Sequence, residues 1–262
     1  MKKTQSKLKA AGFKVIAVHK PYDNASVLVV TNDELLKNAA ATEFGGFGAI
    51  QRVAVTRVGG DIQVSFTNPV YMSYAYQMTD QLQNVDKTLK KTLGFKEAFG
   101  SKDGLSAEDL KTYQYMFGMP YFTDFIILNK YASYGEAIEK IKTSLAVKKG
   151  GAYEVFYQEI PGKKRSVIGV GLTKALSADS WIMDEIDFKP IKSTAHLPYE
   201  MLVHEDGSVY ILNPKFRIAI NFSDLDMVGE RSFARIMSSP AAIRDALIEA
   251  SGGEVFNIRD DY

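Results

Sequence analysis

One order of elements recurs in this chain, and it restricts the available folds more than composition does. Residues 53–58 read as a strand, Gly59-Gly60 as a turn, 62–67 as a strand, Asn68-Pro69 as an interruption and 70–76 as a further strand. The same punctuation returns at 200–204, Asp206-Gly207, 209–212, Asn213-Pro214 and 216–221. A helical pattern follows each set, over 79–93 and over 240–250. Upstream, helix 7–11, Gly12 and strand 13–18 correspond to helix 134–147, Gly150-Gly151 and strand 153–160, while strand 26–30 corresponds to 166–172. The expected class is therefore α+β, built as two diverged copies of one module. Each module is expected to be a mainly antiparallel sheet with helices on one face, and the two to pack as a pseudo-dimer. The divisions are 1–99 for the first module, 100–120 for a helical connector and 121–262 for the second.

The two copies differ at one end. A strand at 122–131 precedes the helix of the second copy, whereas the first copy begins almost at its helix, as though residues had been lost upstream. A further helix is expected at 33–42, capped by Asn32 or Asp33, followed by a flexible loop at Gly45-Gly46-Phe47-Gly48. That loop has neither the GxGxxG nor the GxxxxGK spacing of a phosphate cradle. In the connector, Ser106 is placed to cap a helix with Glu108 and Asp109 in its first turn, and Leu110, Tyr113, Met116 and Phe117 fall at helical spacing. Residues 254–262 read as a closing strand or a frayed end.

Charge and residue usage exclude several kinds of function. Lys and Arg number 32 against 31 Asp and Glu, a formal net charge of +1, so the basic excess of a phosphate-backbone binder is missing and no nucleic-acid partner is expected. Cysteine is absent, which removes thiolate nucleophiles, disulfides, zinc–thiolate sites and iron–sulfur clusters. There is no run of about 18 apolar residues, hence no expected membrane-spanning helix. The start, MKKTQSKLKAAGFKVIAV, is basic but lacks a long apolar segment before Gly12. As written the chain reads as cytoplasmic; an exported protein with its leader removed and a start Met added would read the same. No GxSxG or HExxH motif is present, and no cofactor is indicated.

The stretch His196-Leu197-Pro198-Tyr199-Glu200-Met201-Leu202-Val203-His204-Glu205-Asp206-Gly207, with strand 122–131 and helix 134–145, resembles the domain-of-unknown-function 302 family. Members of that family have a Leu-Pro step entering a strand that ends in an acidic glycine turn. The first copy keeps the strand and turn at 53–60 but has Ile50-Gln51 in place of Leu-Pro. Where family members often carry a Cys just after the Pro, this chain has Tyr199. The resemblance implies a compact α/β fold that tends to dimerise, here with a tandem copy as a built-in pair. It implies no established reaction.

Two of the three histidines lie in this stretch. On a helix, His196, Glu200 and His204 would form one metal-binding face, but Pro198 and the alternation after Tyr199 point to a strand. On a strand they still share a face, spaced roughly 13 Å per four residues, too far apart to hold one ion together. The plainer reading is a solvated polar face of a hairpin, with Tyr199, Met201 and Val203 buried behind it. Of the three, His196 is the best candidate for a ligand, metal or acid–base role, because it lies at a strand mouth.

His19 and Tyr22 sit at a strand-to-turn junction, where polar groups often rim a pocket. Tyr113 and Tyr121 belong to the aromatic connector and complete the list of candidate ligand-binding residues. Lys163, Lys164 and Arg165 form a basic turn, and Asp184, Glu185 and Asp187 an acidic segment beside Trp181; both read as solvated surface. The function expected is that of a non-catalytic small-molecule, metal or cofactor binder with its site between the modules, and a homo-oligomer is compatible with it. The alternatives are an enzyme of hydrolase or lyase type using His196 or His19 as general acid/base, and an assembly subunit.

Overall fold

The computed structural model describes residues 1–255, so residues 256–262 of the expected C-terminal segment lie outside the described part. Two antiparallel sheets form the frame. The first has the order β1-β2-β3-β4, from β1 (Lys14–His19), β2 (Ala25–Thr31), β3 (Gln51–Val58) and β4 (Asp61–Phe66). The second comprises β5 (Ile126–Lys130), β6 (Ala152–Glu159), β7 (Ser166–Leu172), β8 (Tyr199–Val203) and β9 (Ser208–Ile211), in the order β5-β9-β8-β7-β6. The central strands β2 and β7 read ASVLVVT and SVIGVGL, near-continuous apolar runs that suit burial on both faces.

Alternation along each strand assigns the two faces. Leu28, Val30 and Val53 pack with Leu8 of α1 (Lys2–Ala10), Leu35 of α2 (Asp33–Ala41) and Val85 and Leu89 of α4 (Gln83–Leu93). The opposite face carries Val29, which clusters with Phe156 and Val167 of the second sheet, and Val27 and Ala54, which hold Ala195. In the second sheet, Ile168, Val170, Met201 and Val203 face α6 (Tyr134–Ala146), α7 (Asp179–Ile186) and α9 (Ser239–Ala250) through Ile141, Ile182 and Ile243. The sheets thus meet by their inner faces and carry helices on their outer ones. A short 3-10 turn from each half rests on the other half's sheet: Gly45–Gly48 against Leu202, and Thr194–His196 against Val27 and Ala54.

Several expected elements come out differently. Residues 70–76 and 216–221, expected as strands, are the helices α3 (Pro69–Ala75) and α8 (Pro214–Ala219). Asn68 accepts from the amides of Val70 and Tyr71, Asn213 accepts from that of Lys215, and each is followed by Pro at the first helical position. Asn-Pro here is a helix start, because the side chain caps the orphan amides and Pro has none to lose. The strand expected at 122–131 is confined to Ile126–Lys130, and the helix expected at 79–93 begins only at Gln83. The Gly45–Gly48 loop is a buried 3-10 turn rather than a flexible one. In the connector, Ser106 and Asp109 form a capping box, but α5 (Ala107–Lys111) ends before Tyr113. Helix α7 lies where the sequence reads as an acidic surface segment. No helix among the described residues is long and apolar enough to cross a membrane.

Two glycines on the inner face of β7 make room for rings from the neighbouring strand β6. A Cβ at Gly169 would lie 2.0 Å from the Phe156 ring, and one at Gly171 2.3 Å from that of Tyr153. Gly169→Ala is expected to lower unfolding free energy by about 1–3 kcal/mol through overpacking. Gly60→Ala, where nothing lies within 4 Å, is the control and should change it by no more than about 0.5 kcal/mol. Equal urea midpoints for the two variants would contradict the packing described.

Candidate functional site

The inner faces of β3 and β8 bring a buried polar cluster together between the sheets. Val29 pairs with Arg52 across the first sheet, and Gly169 pairs with Glu200 across the second. Both side chains point inward and are almost fully buried. Arg52 Nε donates to Glu200 Oε1 at 2.9 Å, and its Nη2 donates to the same oxygen. From α8, Arg217 Nε donates to Glu200 Oε2 at 3.4 Å. The rest of that guanidinium is spent near the start of β8: Nη1 on His196 Nδ1 at 2.8 Å, and Nη2 on the carbonyls of His196 and Pro198. The Leu197-Pro198 peptide is cis.

Proton positions follow from these partners. A guanidinium only donates, so His196 Nδ1 accepts and the ring is the neutral tautomer protonated at Nε2. That Nε2–H donates to the Tyr199 hydroxyl, 3.1 Å away. Burial, then Arg217 and Arg52, hold the His196 pKa well below its ordinary value. Burial raises that of Tyr199. Burial alone would lower the pKa of Arg217, but Glu200, then Tyr76 and Tyr199, outweigh it and hold the guanidinium above the usual arginine value. Both ring nitrogens of His196 are engaged, which leaves neither for a metal. Among the described residues no three His, Asp or Glu side chains form a group that could hold a metal ion.

Glu200 and His204 are therefore not the solvated hairpin face expected from the sequence. Glu200 is enclosed by two arginines, and His204 is stacked on Phe44 at 5.0 Å and set edge-on to Tyr210 at 5.1 Å between centroids. Arg165, expected as solvated, reaches across to the first half and donates Nη1 to the Glu43 carbonyl at 2.7 Å.

His19 and Tyr22 lie deeper than a pocket rim. His19 Nε2 is 3.4 Å from Asp179 Oδ2, and the Tyr153 hydroxyl is 3.4 Å from His19 Nδ1. Burial raises the pKa of Asp179, whose Oδ2 accepts from the Leu172 amide at 3.1 Å. The Tyr22 hydroxyl meets Thr194 Oγ1 at 3.0 Å, and Thr56 donates to the same oxygen at 2.9 Å. Burial pushes the Tyr22 pKa up to about 12. Tyr113 donates to the Ala219 carbonyl at 3.1 Å and packs on Phe216, while Tyr121 is exposed on the connector. Of the eight candidates, the structure joins His196, Tyr199 and Glu200 in one cluster. His19 and Tyr22 take part in neighbouring buried contacts, and His204, Tyr113 and Tyr121 are separate.

The open feature is a cleft of about 490 Å³ outside the cluster. Its walls are residues 98–102 on one side and residues 186–191 and 221–225 on the other, with Phe99, Ile186, Phe188, Ile191, Phe222 and Leu225 supplying an apolar lining. Phe222 also packs edge-on against the His196 ring, at 5.3 Å between centroids, so it separates the cleft from the cluster. Asp187, read from the sequence as a surface acid, is buried in the cleft wall. Its two oxygens accept from the Ser193 amide at 2.9 and 3.1 Å. Burial raises its pKa to about 6, against the lowering by the Ser193 hydrogen bond and Lys192. None of the eight candidates lines this cleft. The missed residues are Arg52, Arg217, Asp179, Asp187 and Phe222, and the legible signal was the FRIAINF run holding an arginine among apolar residues.

Two measurements follow. Replacing Glu200 with Ala leaves two buried guanidiniums without their carboxylate and should cost about 3–5 kcal/mol of stability; a loss under about 1 kcal/mol would mean the cluster is solvated. For Asp187 the native pKa of about 6 lies above the ordinary 3.8, so the stabilising effect is present below pH 4 and lost as the pH rises through 6. Denaturation at pH 4 and pH 7 should therefore find Asp187→Asn gaining about 2 kcal/mol relative to the parent chain across that interval. A pH-independent difference would contradict the buried carboxylate. Compared with known proteins, the chain matches no protein-family profile, no curated protein and no solved structure.

Proposed function

We propose that this protein is a non-catalytic small-molecule-binding protein and that its site is the cleft between residues 98–102 and the α7 and α8 ends of the second half. The observation that carries the reading is the cleft itself: about 490 Å³, lined mainly by aromatic and aliphatic side chains, with one buried carboxylate. That is the size and make-up of a pocket for a small organic ligand. The His196 cluster supports the same reading by being spent. Its hydrogen-bonding groups are satisfied by one another, and its role is to fasten the two sheets. A general acid/base reading would fall on His19 and Asp179, but both are within 2% exposure and neither lines the cleft.

The architecture we propose is a tandem of two related modules of the domain-of-unknown-function 302 type, packed as a pseudo-dimer. Three features support it. Each half runs helix, strand, strand, helix, 3-10 turn, strand, strand, helix, helix, apart from the additional β5, α5 and short 3-10 turns. The β1–β2 pairing shifts register immediately before Val29, and the β6–β7 pairing immediately before Gly169. Each half also lays its 3-10 turn on the other's sheet. The binding site then belongs to the contact between the connector and the second module, as a pocket between modules would.

A thermal-shift screen of small apolar compounds tests the function. At least one compound should raise the melting temperature of the parent chain by several degrees at saturating concentration, and Ala98→Trp, which fills the cleft from an exposed position, should abolish the shift. Equal shifts for the two proteins would remove the cleft from consideration, and no shift with any compound would overturn the binding reading.

A further inference from the structure

The chemistry of the cleft wall says more about its ligand than its size does. Asp187 is the buried ionisable group in the lining, and the Ser193 amide is the donor that reaches its carboxylate. None of the cations around it is ion-paired with the carboxylate, although the charge of Lys192 offsets part of its burial. Lys192 donates its ammonium to the main-chain carbonyl of Asp187 at 2.6 Å, not to the carboxylate. Lys189 is paired with Asp224. Lys102 stands on the exposed opposite wall. Behind Asp187 lies Tyr22, a neutral phenol whose pKa this carboxylate helps to raise. The charge on Asp187 is thus buried and incompletely compensated, a state a ligand cation would relieve.

The apolar groups beside it suit a cation as well. Phe99, Phe188 and Phe222 line the same cleft, and aromatic faces attract ammonium groups. The Phe188 ring already has the Arg231 guanidinium at 5.9 Å from its centroid. An anion would meet the carboxylate across a desolvated wall, and a neutral alcohol would leave the charge as it is.

We propose that the cleft selects a protonated primary amine carried on an aromatic or aliphatic body, with the ammonium at Asp187 and the body against Phe99 and Phe222. This rests on the cleft being a binding site, and the test separates the two. Three probes share one body and differ in head group: 2-phenylethylamine, 2-phenylethanol and phenylacetate, each titrated into the full chain by calorimetry at pH 7.5. The amine should bind tenfold or more tighter than the alcohol, the margin of one charge-assisted hydrogen bond. The carboxylate should bind weakest. Lowering the pH from 7.5 to 5 should weaken the amine several-fold as Asp187 takes up a proton, and leave the alcohol unchanged. Asp187→Asn should bring amine and alcohol to within about threefold of each other, with circular dichroism and the alcohol's own affinity reporting that the cleft is intact. If alcohol and amine bind alike to the parent chain, the amine preference is overturned and the cleft reading stands. If none of the three binds and Ala98→Trp changes nothing, both fall.

Discussion

A single carboxylate shared by two arginines sits at the junction of this fold. Glu200 rises from the start of β8, receives Arg52 from the facing sheet, 148 residues away, and Arg217 from α8, and thereby ties three elements together. Buried ion pairs are weak as sources of net stability, because dehydration of each charge offsets most of the attraction. They are strong as constraints. Any shift of one sheet over the other strands a charge away from its partner in a place without water. The apolar contacts between the sheets, Val29 with Phe156 and Val167, would tolerate sliding; the Arg52–Glu200 pair would not.

The same cluster explains how little of the interior could be read from the chain. Order and class were legible: α+β, two antiparallel sheets, helices on outer faces, and the strand–turn–strand punctuation at Gly59-Gly60 and Asp206-Gly207. Asn-Pro is visible, but the alternating apolar residues after it fit a short helix as well as a strand. Phe216 and Ile218 are buried within α8. Glu200 was found by its proximity to histidines, yet its burial depended on Arg52, 148 residues earlier in sequence, and no local pattern reports such a partner. From the sequence, His196 stands at a strand mouth. The structure puts it there and then consumes both of its nitrogens.

The cleft was invisible for a related reason. Its walls come from the segment after α4 and from the loops after α7 and α8, which are adjacent only once the sheets have docked. Asp187 looked like one acid in an acidic stretch. Its neighbours Asp184 and Glu185 face outward, Glu185 pairing with Arg235, while Asp187 turns in to the Ser193 amide at the end of α7. Helical rotation makes that difference, and α7 was the helix that periodicity did not announce.

The register of the two sheets carries a consequence for self-association. Arg52 and Glu200 hold matching places, each opposite the first residue after a shift in strand pairing, Val29 in one sheet and Gly169 in the other. A first half laid face to face with another first half would bring arginine to arginine, and two second halves would bring glutamate to glutamate. Like charges meeting in a dry interface cost several kcal/mol, by the usual scale of such juxtapositions, about what a mispaired interface must overcome. Only unlike halves present opposite charges at this point. The chain therefore discourages pairing of like halves between molecules, and at this surface leaves open only the contact of a first half with a second.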